Sequence, residues 1–245
     1  MVSAQWSVAR KGSLTTDLWT LATAFMNSRP LLLGHRGARA AKNVPENTLA
    51  SFDLALAQGC DGFEFDVRLT SDGQAVVCHD ATTRGLKIAE CSARRLGLPL
   101  FREVLTRYQK NAFLDIELKV SGLESISAEL LRMLAPDRGF VVSSFLPEVL
   151  HTIHGLDAAL PLGVICETRA EFSRWPELPI EYVIAQHALV RRGLIPEIKA
   201  AGKKILVWTV NVSADMKRFS KWGVDGLISD HPGRLARALG PQEKS

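Results

Sequence analysis

No stretch of this chain is long and apolar enough to cross a bilayer. The longest early candidate, Leu18–Met26, is interrupted by Thr23 and flanked by polar residues, whereas a span needs about 20 apolar residues. It also lacks a clean signal-peptide core, because Asp17 stands directly before it. Cysteine is scarce. Cys60, Cys78, Cys91 and Cys166 are spaced neither as a CxxC metal site nor as a disulfide framework, so reduced, buried thiols in a cytoplasmic protein are expected. There is no GxGxxG, no P-loop and no low-complexity linker. No stripe of Lys and Arg interleaved with aromatics appears, which sets nucleic acid aside as a partner. Neither sign of charge dominates: 30 basic residues stand against 26 acidic ones, for a net +4. That balance suits an anionic small substrate without requiring one, and oligomeric state is not legible from it.

With 245 residues, 47% of them hydrophobic, the chain can bury a large core. Residues 1–30 read as an N-terminal leader, with a short amphipathic helix near Thr16–Met26. Residues 31–245 read as a single domain in which strand and helix alternate to the end. Strands are expected at Leu31–Gly34, Gly62–Arg68, Ala75–His79, Ala112–Lys119, Phe140–Ser144, Leu162–Cys166, Tyr182–Ala185, Ile205–Val210 and Gly226–Ile228. Helices fall between them. The first, Thr48–Gln58, carries Leu49, Phe52 and Leu56 on one face, with Asn47 or Thr48 as its cap and Gly59 as its stop. Repeated βα units argue for a parallel sheet. Eight units plus one short extra strand fit a closed (β/α)8 TIM barrel of about 250 residues. An open doubly wound sheet fits less well, because polar strand ends are spread along the whole chain instead of gathering at one switch point.

Side chains alternate across a strand. In Gly62–Val67, Phe63, Phe65 and Val67 therefore face one way, while Glu64 and Asp66 face the other, into the barrel. In Phe113–Lys119, Leu114, Ile116 and Leu118 face outward, and Asp115, Glu117 and Lys119 face inward. Buried carboxylates without partners cost several kcal/mol or more. Two of them at a strand end could be paired with Arg68 or Lys119; a third inward carboxylate tilts the balance toward a cation. An all-oxygen set of Glu64, Asp66 and Glu117 suits Mg2+ or Ca2+ and not zinc. His35 and His79 each end an apolar run and can exchange protons near neutral pH. The other four histidines lack that setting, although His187 follows a strand and could reach the mouth. Arg36, beside Gly37, can grip a phosphate or pair with Glu46 or Glu64. Lys119 can hold an anionic oxygen. Trp208, on the same strand face as Leu206, can cover the organic part of a substrate or simply fill the core.

The segments Gly34–Gly37, Pro45–Thr48, Gly62–Thr70 with Asp72-Gly73, Val76–Asp80, Ile116–Lys119, Val207–Asn211 and Asp225–Pro232 resemble, in order, the motif series of the glycerophosphodiester phosphodiesterases. The resemblance implies a TIM barrel, one divalent cation, and hydrolysis of glycerophosphodiesters to glycerol 3-phosphate and an alcohol. By motif position it implies His35 and His79 as the acid–base pair, and Glu64, Asp66 and Glu117 as metal ligands. Arg36 and Lys119 match phosphate contacts, Trp208 matches a residue lining the substrate site, and Glu46 orders the first loop. The implied reaction runs through attack by the glycerol 2-hydroxyl and a cyclic phosphate. One departure is the short Ala81–Leu100 segment, where the family usually carries a larger insertion after the second strand unit. Two other readings remain. One is a lysophospholipase D-type enzyme with an apolar rim drawn from Phe101, Phe145 and Trp208. The other is a non-catalytic phosphate-binding protein.

Overall fold

The computed structural model describes residues 29–240; the helix expected near Thr16–Met26 lies outside them. In chain order the strands are β1 (Leu31–Gly34), β2 (Gly62–Leu69), β3 (Ala75–Val77), β4 (Thr82–Thr83), β5 (Leu86–Lys87) and β6 (Phe113–Leu118). They continue with β7 (Phe140–Ser144), β8 (Leu162–Cys166), β9 (Tyr182–Gln186), β10 (Lys204–Trp208) and β11 (Gly226–Ser229). Eight of them, β1, β2 and β6 to β11, are parallel neighbours, and β1 pairs with both β11 and β2, which closes the barrel. Strand β3 adds antiparallel to the upper part of β2. All nine expected strands are present within a few residues of their expected ends, and a helix follows each barrel strand. Thr48, not Asn47, caps the first helix, its hydroxyl accepting from the Ser51 N–H.

Two apolar layers result from the strand alternation. Phe63, Phe65, Val67, Leu114, Ile116 and Leu118 point outward into the layer between sheet and helices, as expected. Phe52, on the helix Leu49–Ala57, stacks on Phe63 with centroids 4.2 Å apart, and Tyr108, on the helix Phe101–Tyr108, meets Phe63 edge-on at 4.9 Å. The Tyr108 hydroxyl reaches Asp53 Oδ1 at 2.8 Å, so two helices are clamped to β2. The inner layer holds Leu33, Phe113, Val141, Ile165, Tyr182, Ile184, Leu206 and Ile228. It fills the lower barrel and leaves the strands' C-terminal ends to polar residues. Gly62 has no room for a side chain, since a Cβ there would fall 1.8 Å from the Phe113 carbonyl oxygen.

The short Ala81–Leu100 segment is built from the β4–β5 hairpin, one 3-10 turn and the short helix Ala93–Leu96. It closes over a small core of Val76, Ile88, Cys91 and Leu96, and the β3 N–H of Val77 donates to the Pro99 carbonyl. The four cysteines are unpaired.

Candidate active site

The carboxylates come together through strand register. In β2 and β6, Glu64 sits beside Asp115 and Asp66 beside Glu117; neighbours in a parallel pair face the same side, so all four point into the barrel. Carboxylate oxygens of Glu64, Asp66 and Glu117 lie within 4.8 Å of one another, and all three residues are buried. Two cations approach them. Lys119 Nζ is 2.6 Å from Glu117 Oε1 and 3.4 Å from Asp66 Oδ1, and Arg36 Nε is 3.3 Å from Asp66 Oδ2. Arg68, the other expected partner, instead donates to the His79 carbonyl oxygen at 2.7 Å and steadies that loop.

Four inward carboxylates face these two cations, which leaves two negative charges if every group is ionised. The imbalance shows in the proton affinities. Burial, reinforced by Asp66 and Glu117, pushes Glu64 well above its ordinary range. Burial and then Asp66 push Glu117 up to about 7 against the pull of Lys119. Burial, with a smaller push from Asp66, takes Asp115 to about 7 in spite of the hydrogen bond from Ser143, and Asp115 Oδ2 has no hydrogen-bond partner among the described residues. Asp66 differs: burial acts to raise it, but Lys119 and Arg36 outweigh burial and hold it below its usual value. A divalent cation would cancel the residual charge, and a donor set made only of oxygen suits a hard ion. The residues present fit such an ion.

The loop after β1 is held in an uncommon backbone conformation. Arg36 has φ 49°, Gly37 79° and Asn47 56°, all in the left-handed region that side chains rarely adopt. The strain is offset by hydrogen bonds. The Arg36 N–H donates to Glu64 Oε2 at 2.8 Å, and Ser51 Oγ donates to the Arg36 carbonyl at 2.9 Å. Asn47 Nδ2 donates to Asp66 Oδ2 at 2.7 Å. Glu46 pairs with both Arg36 and Arg39 at 2.8 Å, the ordering role expected of it.

His35 follows β1 and His79 follows β3. Both line a cavity of about 340 Å3 together with Arg36, Glu64, Asp115, Glu117, Lys119 and Trp208. The opposite wall is apolar, made of Phe145, Ile165, Ile184 and Ile228, with Glu167 at its edge. Trp208 is fixed by a hydrogen bond from its Nε1 to the Ile184 carbonyl at 3.2 Å, and Phe145 meets it edge-on at 6.0 Å. All the expected site residues but Asp66 therefore line one cavity, and Asp66 is buried against two of them, Arg36 and Lys119. Two expectations fail. Phe101 is fully buried in the outer layer against Phe65 and does not reach the mouth, because its helix turns that face to the sheet. His187 is exposed and outside the cavity lining. His151 and His154 are exposed on their helix, and His231 stands at the N-terminus of the last helix.

Several contributors were not anticipated. Asp230, just past β11, lies 2.7 Å from His35 Nδ1. Asn47 holds Asp66, and Asn211 holds Asp230. Ser143 donates to Asp115 at 2.6 Å. The Ser229-Asp230-His231 sequence at the end of the last strand was the available signal for Asp230, since closure must place that strand beside β1.

A closed parallel barrel whose C-terminal mouth joins a buried acidic cluster, two cations and two histidines defines a barrel hydrolase for an anionic substrate. A family model described as the glycerophosphoryl diester phosphodiesterase family matches residues 35–112 and 105–234. A glycerophosphodiester phosphodiesterase of Caldanaerobacter subterraneus subsp. tengcongensis is 30% identical, covering 84% of this chain and 96% of its own length. A lysophospholipase D of Mus musculus is 23% identical, covering 83% of this chain and 84% of its own. The solved structure of an Oleispira antarctica phosphodiesterase in complex with the product sn-glycerol-3-phosphate superposes with a TM-score of 0.75 at 26% identity. It covers 89% of this chain and 98% of the other. The chain belongs to the glycerophosphoryl diester phosphodiesterase family and is a phosphodiester hydrolase.

Proposed function

We propose that this protein hydrolyses glycerophosphodiesters to glycerol 3-phosphate and an alcohol. In this reading Glu64, Asp66 and Glu117 hold one Mg2+ or Ca2+ ion, and His35 and His79 move the protons. The observation that carries it is the cluster of three buried carboxylates, two of which, Glu64 and Glu117, line the same cavity as both histidines. When bound, the cation supplies charge stabilisation to the phosphoryl oxygens. Arg36 and Lys119 lie against the same carboxylates and are placed to share a phosphate's negative charge. One histidine takes the proton of the attacking glycerol hydroxyl and the other supplies a proton to the leaving alcohol; water then opens the cyclic phosphate with the two roles exchanged, giving glycerol 3-phosphate. Trp208 and Phe145 are placed to cover the carbon skeleton.

The test is release of glycerol 3-phosphate from glycerophosphocholine, followed by 31P NMR with and without Mg2+ or Ca2+. Turnover is expected with the ion and none after exhaustive EDTA treatment. A 2-deoxyglycerol analogue is expected to be inert if the glycerol 2-hydroxyl is the nucleophile.

The apolar wall of Phe145, Ile165, Ile184 and Trp208 favours a second reading, hydrolysis of lysophospholipids in the lysophospholipase D manner. A higher kcat/KM for lysophosphatidylcholine than for glycerophosphocholine would select it. Binding of the diester without turnover would select the non-catalytic reading. Among the described residues no helix is long and apolar enough to cross a membrane, and the four free thiols accord with a cytoplasmic setting.

A further inference from the structure

The two histidines are held very differently. His35 and the carboxylate facing it are both nearly buried, with side chains 12% and 13% exposed, and His35 Nδ1 stands 2.7 Å from Asp230 Oδ1. That carboxylate is itself fixed on every side. Its Oδ1 also meets Arg39 Nη1 at 3.3 Å, and its Oδ2 accepts from Asn211 Nδ2 at 2.7 Å. Asn211 is locked in turn, because its Oδ1 accepts from the Asp230 N–H at 3.0 Å and from Ser229 Oγ at 3.1 Å. The His35 backbone is tied to the same strand end, its N–H donating to the Ser229 carbonyl at 2.9 Å. With Nδ1 engaged, the other ring nitrogen turns to the cavity, where Nε2 is 3.8 Å from Glu64 Oε2. His79 contrasts with this. Its Nδ1 contact is Asp80, at 2.8 Å, and those side chains are 33% and 75% exposed, so solvent competes for the pair.

We infer that Asp230 is the positioning residue of His35. An ionised carboxylate only accepts hydrogen bonds, so in the neutral ring the proton sits on Nδ1 and Nε2 faces the cavity with its lone pair free. Nε2 is thus the nitrogen through which His35 exchanges a proton with the cavity, and Asp230 stabilises the imidazolium whenever it forms. Asn211 keeps the carboxylate aimed. The inference rests on the reading that His35 takes part in proton transfer, and it names the nitrogen that performs it.

The test combines 15N-labelled histidine NMR on the Mg2+-loaded full chain with steady-state kinetics. The His35 signals are identified by their loss in His35→Ala. The neutral ring of the unaltered protein is expected in the Nδ1–H form. Asp230→Asn can donate to Nδ1 and is expected to populate the Nε2–H form. Its kcat should fall about 10²–10⁴-fold, the effect of leaving a proton-transfer histidine in the wrong tautomer, with KM and Mg2+ affinity within about threefold. Asn211→Ala is expected to move both readouts in the same direction by a smaller factor, and it serves if Asp230→Asn does not fold. A purely structural role would lower the melting temperature and leave the tautomer unchanged. An Nε2–H ring in the unaltered protein, or unchanged kcat and tautomer in both variants, overturns the inference. Failure of the unaltered protein to turn over any glycerophosphodiester would sink the functional reading instead, while the spectra would still decide the tautomer.

Discussion

At the scale of single residues, the site is a balance of buried charge, and its members differ in what their loss would do. On the proposed assignment, replacing His35 or His79 by alanine removes a proton-transfer group worth about 10²–10⁴-fold in kcat and leaves the carboxylates in place. Such variants are expected to keep their Mg2+ affinity, measured by calorimetry, while losing turnover. His151→Ala and His154→Ala serve as controls, since both residues are exposed far from the cavity; equal losses at His35 and His151 would refute the assignment. Glu64→Gln should act in the opposite sense, weakening ion binding yet relieving the repulsion that raises Glu64. It is expected to give a folded apo protein with a melting temperature at or above that of the unaltered chain. A lower one would mean that the bond from the Arg36 N–H needs the charged carboxylate.

At the scale of elements, β2 is the strand on which site and core meet, one face carrying Glu64 and Asp66 and the other resting on Phe52 and Tyr108. Phe52→Ala should cost about 3–5 kcal/mol by leaving a cavity under that strand, seen as a lower denaturation midpoint, and should touch turnover only indirectly. The same strand explains what could be read in advance. Period-two alternation made Glu64, Asp66, Asp115 and Glu117 legible as inward groups, because the pleat permits no other placement. Asp230 and Asn211 were not assigned roles, since their partner is a residue from the other end of the chain and no local pattern encodes that pairing. Phe101 was misplaced because a helix face is set by packing, and here that face meets Phe65. The Ala81–Leu100 segment was recognisable as short, but its private core of Val76, Ile88 and Leu96 depends on a contact with β3. A segment folded down onto its own core does not offer a broad lid to the leaving alcohol. Glycerophosphocholine, glycerophosphoethanolamine and glycerophosphoglycerol are therefore expected to show kcat/KM values within about 100-fold, or about 2.7 kcal/mol; a larger spread would show that another loop closes the site.

At the scale of the whole molecule, the acidic cluster couples stability to pH and to the ion. Glu64, Asp115 and Glu117 hold protons more tightly folded than unfolded. Below the ordinary carboxylate range they are neutral in both states and cost nothing. As pH rises above that range the unfolded chain loses these protons first, so stability falls until the folded groups ionise too, at about 7 for Asp115 and Glu117. Asp66 and Asp230 have the opposite sign, being held low, and their contribution is lost only as pH drops into the acid range. The ion-free protein is thus expected to melt at a lower temperature at pH 8 than at pH 5.5. Saturating Mg2+ or Ca2+ should flatten that slope and add about 2.7 kcal/mol at a hundredfold excess over Kd. A melting temperature independent of both pH and ion across this range would contradict the site as drawn.

Barrel closure also has a consequence in time. His35 and Asp230 are separated by 195 residues, and β1 is completed by its pairing with the last strand, β11. At a synthesis rate of about 5–20 residues per second, Asp230 is made some 10–40 s after His35. During that interval β2 and β6 can already align their carboxylates, while the first histidine lacks the group that orients it. On the proposed assignment, ion capture precedes competence, and hydrolysis waits until the final strand seats. A chain released early, ending before Gly226, would then be silent instead of partly active toward phosphodiesters.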